Sequence, residues 1–322
     1  MDIAAVPIIL LFRQDLRLKD NPALVAACQT GRPIIPLYIL DDENPGKWKL
    51  GGASRWWLHY SLKSLQDALR LKGSQLFVYR GKTVDIVKAL IHKHQVGALY
   101  WNRCYEPYAI ELGRKLKNIL PQSHSFNGSL LFEPWEVFNQ QNQPFKVFTP
   151  FWRKCVEISA IDTSLEEPEI IWTKQIEAAS IDSLKLLPAH PNWANSWNTY
   201  WQVGEEAAHK KLTFFSKQLL DEYETDRDVP SLTSTSLLSP HLHFGEISPR
   251  QIYNAVKNLP NSSKFLSELG WREFSYYHLY HFPQLPELSW RSEFDNFPWE
   301  INTVYLKKWQ QGNTGYPIVD AG

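Results

Sequence analysis

Cysteine is scarce, with three in 322 residues. Cys28, Cys104 and Cys155 form no C-x-x-C pair and have no His at metal-ligand spacing, so they read as reduced core thiols and no metal site is expected. An excess of charge of either sign is also absent. Lys and Arg total 34, Asp and Glu 34. That excludes a surface coated in positive charge and leaves open a local basic patch, which is all that phosphate binding needs. No apolar run reaches the roughly 18–20 residues of a membrane span. Met1-Asp2-Ile3 lacks the basic start and apolar stretch of a signal peptide. A cytoplasmic chain without membrane contact is expected. G-x-G-x-x-G and G-x-x-x-x-G-K-[ST] are both missing, which disfavours a NAD-binding Rossmann enzyme and a P-loop NTPase. There is no internal repeat.

Aromatic residues, by contrast, are abundant at 14%, and charged residues make up 21%, a composition of ordered chains. The length suggests two domains, because single cores stop growing near about 250–300 residues. Val6–Phe12 is a continuous apolar run, the signature of a strand buried on both faces. Asn21 before Pro22 suits an N-cap followed by a first-turn Pro, with a short helix to Cys28. Further strands are expected at Ile34–Leu40 (despite Pro36), Leu76–Tyr79, Ala98–Trp101 and Ser123–Phe126. Helices are expected at Trp56–Leu71, Val84–His94 and Ile110–Ile119. This alternation predicts a five-stranded, doubly wound parallel sheet. Ligands of such sheets bind beyond the carboxyl ends of the strands, here Arg13-Gln14-Asp15, Asp41-Asp42 and Asn102-Arg103.

Phe132–Thr149 reads as loop. Thr163–Trp197 is rich in Pro, Ser and Glu and reads as a connection, with one short helix near Phe151–Ile158. From Glu205 the spacing is helical (Ala208, Leu212, Phe215, Leu219), and the style continues through Ile252–Val256 and Phe265–His278. The expected division is an α/β domain over 1–130, a connection over 131–204 and a mostly α-helical domain over 205–322.

Three stretches carry candidate chemistry. In the run Thr235-Ser236-Leu237-Leu238-Ser239-Pro240-His241-Leu242-His243, hydroxyls and free backbone N–H groups near a helix start suit a phosphate. Plain helix capping is the alternative, with Ser248-Pro249 as the clearer cap, and both hold if Thr235 and Ser248 serve different helices. His241 and His243 lack a third metal ligand at a recognisable spacing. Glu268, Trp271 and Arg272 share one helix face. That face can bond a base edge, stack on a ring and pair with phosphate, or be an ordinary Glu–Arg pair beside a core Trp. Tyr223 and Arg227, four apart in an acidic run, can face one ligand.

Together these residues resemble the DNA photolyase/cryptochrome family, most closely a cyclobutane pyrimidine dimer photolyase. The resemblance is carried by Phe12–Leu18 with Asn21–Leu24, by Lys146–Phe151, by Thr235–Gln251, by Trp271–Phe274 and by Thr314–Ala321, in the family's order along essentially the whole chain. It implies an N-terminal antenna domain and a helical C-terminal domain holding FAD. Tyr223, Thr235, Ser236, Leu237, Leu238, Ser239, Phe265 and Arg272 would contact FAD. Arg227 would meet DNA phosphate, with Arg272 lying between flavin and DNA. Glu268 and Trp271 would receive a dimer flipped out of UV-damaged DNA, and Trp299 would be the surface end of an electron-transfer chain. The implied function is light-driven dimer repair by a monomer, with a cryptochrome-type blue-light receptor as the alternative. A second, antenna chromophore (folate or deazaflavin) is left open, because Tyr105–Ala109 lacks the Asn-Glu pair of some folate-binding members. Family members continue past the position of Gly322. The helical domain is therefore expected to be incomplete and FAD retention weak or absent, and a chain inactive by itself is a third reading.

Overall fold

The computed structural model describes residues 6–158, 161, 164–173 and 176–321. Its first half follows the predicted alternation. β1 (Ile8–Phe12), α1 (Pro22–Cys28), β2 (Ile34–Leu40), α2 (Gly52–Leu71), β3 (Phe77–Arg80), α3 (Thr83–His94), β4 (Ala98–Asn102), α4 (Pro107–Lys117) and β5 (Ser123–Phe126) follow in turn. The sheet is parallel throughout, in the order β3-β2-β1-β4-β5. The two-residue period of a strand sends alternate side chains to opposite faces. Ile8, Leu10 and Phe12 meet α1 and α2 on one face, while Ile9 and Leu11 meet α3 and α4 on the other. That is why β1 is apolar without a break.

Asn21 caps α1 as predicted, its Oδ1 accepting from the Leu24 N–H at 3.1 Å. Pro36 is accommodated because its missing N–H falls in a gap. The Ile34 N–H bonds Ile171 on the flank away from β1, and pairing with β3 starts only at Leu37↔Phe77. The connecting segment packs onto the α/β layer, with Ile181, Leu184, Leu186 and Ala194 in the same core as α2.

The helical elements are α5 (Phe148–Ile158), α6 (Trp197–Tyr200), α7 (Glu205–Gln218), α8 (Tyr223–Asp226), α9 (Ser239–Phe244), α10 (Pro249–Val256) and α11 (Ser263–His281). Ser248 and Gln251 form a capping box at the start of α10. Everything to Pro283 forms one compact unit, and Gln284–Gly322 a second. Within the second lie α12 (Thr303–Gln310), capped by Asn302, and α13 (Pro317–Ala321). Asp320 accepts there from the Thr314 N–H (2.7 Å) and hydroxyl (2.6 Å) and from the Gly315 N–H (2.9 Å). The sequence reading assigned no helix to Thr303–Gln310, although the Asn302 cap was legible. Among the described residues no helix is long and apolar enough to cross a membrane.

A buried polar clamp fastens the α/β layer to α9 and α10. Arg17, 1% exposed, donates to the carbonyls of Gly128 (2.7 Å) and Gly245 (2.9 Å). Asp20, fully buried, accepts from the Leu165 N–H (2.8 Å), from Arg250 (2.8 Å) and from the Ser248 hydroxyl. Gly245 makes the close approach possible. It has φ +67°, and a Cβ there would lie 2.0 Å from the Gln14 carbonyl oxygen, a backbone atom that cannot swing aside. Gly245→Ala should therefore cost at least about 2 kcal/mol, or roughly 4–8 °C in Tm. A thermal melt within 1 °C of the parent would contradict this.

Candidate functional site

α11 supplies the floor of a cavity of about 450 Å³, within the range of small-molecule sites. Phe265, Glu268, Leu269, Arg272 and Tyr276 recur every three or four residues, so one helix face points into it. The roof is Tyr223 of α8, Ser236 and Leu238 of the following loop, Ser239, Leu242 and His243 of α9, and Ile252 of α10. Phe215, Tyr223 and Phe265 hold one another with ring centroids 4.5–5.4 Å apart. This fixes the aromatic end.

The polar groups converge from separate segments. The Ser236 hydroxyl accepts from the Leu238 N–H at 3.3 Å. Leu237 adopts φ +52°, a left-handed conformation costly for a branched residue, of the kind that collects at ligand sites. Arg272 donates to the Ser129 carbonyl at 2.9 Å and lies over the Tyr276 ring, 4.9 Å from its centroid. Burial lowers the pKa of His243 and favours the neutral ring; the Glu106 carboxylate opposes this and Arg272 reinforces it. Burial pushes Tyr276 up to about 12. At the mouth, Arg227 lies over Tyr223 at 5.5 Å and pairs with Glu268, which also meets Lys264 at 3.6 Å.

Of the predicted site residues, the cavity unites Tyr223, Ser236, Leu238, Ser239, Phe265, Glu268 and Arg272. Thr235 and Leu237 are exposed beside it. Trp271 is 46% exposed and stacks on Phe148 outside it. Trp299 belongs to the second unit, 71% exposed, its indole N–H on the Phe294 carbonyl. Sequence reasoning missed Leu242, His243, Ile252, Leu269 and Tyr276. The 265–268–272–276 spacing on α11 would have revealed Tyr276. His243 stands at the end of the run that suits a phosphate, but nothing in its own spacing sets it opposite α11. Among the described residues no group of three His, Cys, Asp or Glu is placed to hold a metal. The fully buried His241 bonds Glu246, whose other oxygen accepts from the Trp57 indole at 3.1 Å.

Of the predicted strand ends, those of β1 and β2 open onto a crevice through Arg13, Gln14, Asp41 and Asp42, whereas that of β4 is filled. Asn102 donates to Asp15 (2.6 Å) and Asn21 (2.7 Å) and fills the point where the strand order reverses. The crevice, narrower at about 120 Å³, lies beside it, lined among others by Arg13, Asp41, Tyr108, His243 and Phe244. His243 thus lines both cavities.

The family profile described as DNA photolyase matches residues 8–169, and that described as FAD binding domain of DNA photolyase matches residues 265–322. The chain is 39% identical to a deoxyribodipyrimidine photo-lyase of Agrobacterium fabrum, over its whole length and 69% of that protein. The chain belongs to the DNA photolyase/cryptochrome family. Cryptochrome-2 of Arabidopsis thaliana is 34% identical over 98% of the chain and 55% of the plant protein. The crystal structure of a bacterial class III photolyase from Agrobacterium tumefaciens superposes with a TM-score of 0.94 at 38% identity, covering all of this chain and 69% of that one. The part matching the family's FAD-binding domain opens at Phe265, so the cavity floor falls inside it and the roof before it.

The residue next to Arg272 gives the site a pH dependence. Glu273, 3% exposed, accepts from the Leu131 N–H at 2.7 Å and pairs with Arg272 at 3.2 Å. Burial outweighs these partners and pushes its pKa up to about 7. The unfolded chain releases this proton near pH 4.5 while the folded chain keeps it, so stability falls as pH rises from about 4.5 to about 7, by about 3 kcal/mol. Glu273→Gln should remove that part of the slope. Thermal melts from pH 4.5 to 8 test this, and a parent–variant difference constant with pH would refute it.

Proposed function

We propose that the chain binds FAD in the α8–α11 cavity and serves light-driven repair of cyclobutane pyrimidine dimers in UV-damaged DNA. The observation that carries this is the convergence of Tyr223, Ser236, Leu238, Ser239, Phe265 and Arg272, from segments far apart in sequence, on one cavity. The lining suits a phosphate-bearing aromatic group. Hydroxyls and backbone N–H groups before α9 offer donors to a pyrophosphate, and Tyr223 and Phe265 offer flat apolar walls. A reduced flavin held there would supply a one-electron donor excited by visible light.

The chain's own residues would do the rest. Arg227 and Arg272 hold phosphate, and when Arg227 moves to DNA the Glu268 carboxylate is released to accept from, or share a proton with, a pyrimidine edge. Trp271 covers the flat side of the lesion. A dimer pairs poorly, so extruding it costs less than extruding a normal base. Trp299, exposed in the second unit, is proposed as the outer end of an electron-transfer path. We also read 131–204 as the connection between an antenna domain and the flavin domain, the crevice beside β1 as the place for a second chromophore, and the active form as a monomer.

Added FAD should bind the purified chain with quenching of its fluorescence, and the Ser236→Ala/Ser239→Ala variant should weaken binding at least about tenfold, two lost charge-assisted bonds. Binding equal to the parent's would refute this use of the cavity. With flavin reduced, light should remove dimers from an irradiated oligonucleotide. Light-driven flavin reduction without dimer loss would instead favour the blue-light receptor reading, which the 34% identity to a plant cryptochrome supports.

A further inference from the structure

The exposed indole of Trp271 is held by a second aromatic ring from a different part of the chain. Phe148, the first residue of α5, lies face to face with it at a centroid separation of 3.9 Å and an angle of 11°. The ring of Trp152, one turn along α5, runs parallel to Phe148, offset at 6.4 Å and 10°. Trp152 lies so close to α11 that a Cβ on Gly270 would sit 2.7 Å from its indole carbons. Phe274, 6% exposed, meets both Phe148 and Trp271 edge-on at 5.9 Å. The indole plane is thus fixed from behind and from the side while the residue is 46% exposed. A lone surface Trp would sample several rotamers, whereas one stacked on a buttressed ring has lost that freedom before any ligand arrives.

We infer that Phe148 is a positioning residue for lesion recognition. It holds the Trp271 indole as a flat platform on which the flipped-out pyrimidines stack. The inference rests on the proposed lesion role of Trp271. Its physical content is preorganisation: planar stacking on one face presents the other at a set angle, and an aliphatic side chain of similar volume fills the space without setting the plane. Gly270 belongs to the same device, because any larger residue would displace Trp152 and with it the support of α5.

The test measures binding of the 322-residue chain, in the dark, to a duplex with a single thymine dimer and to the same duplex undamaged. Phe148→Leu should weaken dimer binding about three- to tenfold, the loss of one aromatic stack, and leave undamaged binding unchanged. Phe148→Tyr should restore it. In a Trp271→Ala background, itself without dimer preference, Phe148→Leu should have no further effect. A role confined to packing would lower Tm and both affinities alike and leave their ratio unmoved. If Trp271→Ala removes the preference but Phe148→Leu keeps the parent ratio, the platform is overturned and the lesion reading stands. If the parent shows no preference, or Trp271→Ala keeps it, the lesion reading falls and the platform with it.

Discussion

Arg17 and Asp20 hold the two halves of the compact unit in register. A buried charge is tolerated only when paired and fully hydrogen-bonded, and these two meet that demand by reaching across the molecule. Arg17 takes carbonyls from Gly128 and Gly245, and Asp20 takes Arg250, Ser248 and Leu165. Glu205 at the start of α7 adds to the clamp, accepting from the N–H groups of Leu18 and Lys19 at 2.9 Å. The loop after β1 is therefore a joint. It sets where α9 and α10 stand, and these helices carry four of the seven roof residues of the cavity. Of the polar residues at Phe12–Leu24, Arg17 and Asp20 serve this joint, while Asp15 and Asn21 serve the switch point at Asn102.

α11 is read differently on each of its faces. One face lines the cavity, another buries Phe274 and Tyr277 against α5, and a third presents Trp271 on Phe148. Glu273 sits between them and ties the helix to the backbone at Leu131 and Phe132. A single helix thus carries both the residues proposed to hold flavin and the Trp271 proposed to meet the lesion.

Much of the α/β half was legible because strands buried on both faces must be apolar without interruption, and because caps such as Asn21 and Ser248 act locally. Pro36 was the doubtful residue, and neighbouring strand length decided it. The helical half was read more coarsely. α8 and α9 have four and six residues, too few to display a period, and α12 has no buried face among the described residues to impose one. Within the site, α11 spacing brought out Glu268 and Arg272, whereas Trp271, expected on the same face, lies outside the cavity against Phe148. His243 and Ile252 could not be found that way, since what makes them site residues is their position opposite another element.

By itself the sequence determined the strand and helix alternation, the caps, the family and the residue types available for binding, because each depends on neighbours within a few positions or on a motif kept in order. Tertiary structure alone decided that Asn102 fills the switch point, that Arg227 and Glu268 face each other, and that His243 lines two cavities. It also decided that Trp271 rests on a phenylalanine more than a hundred residues away. Each of those facts is a contact between distant segments, and such a contact leaves no periodicity in either of them.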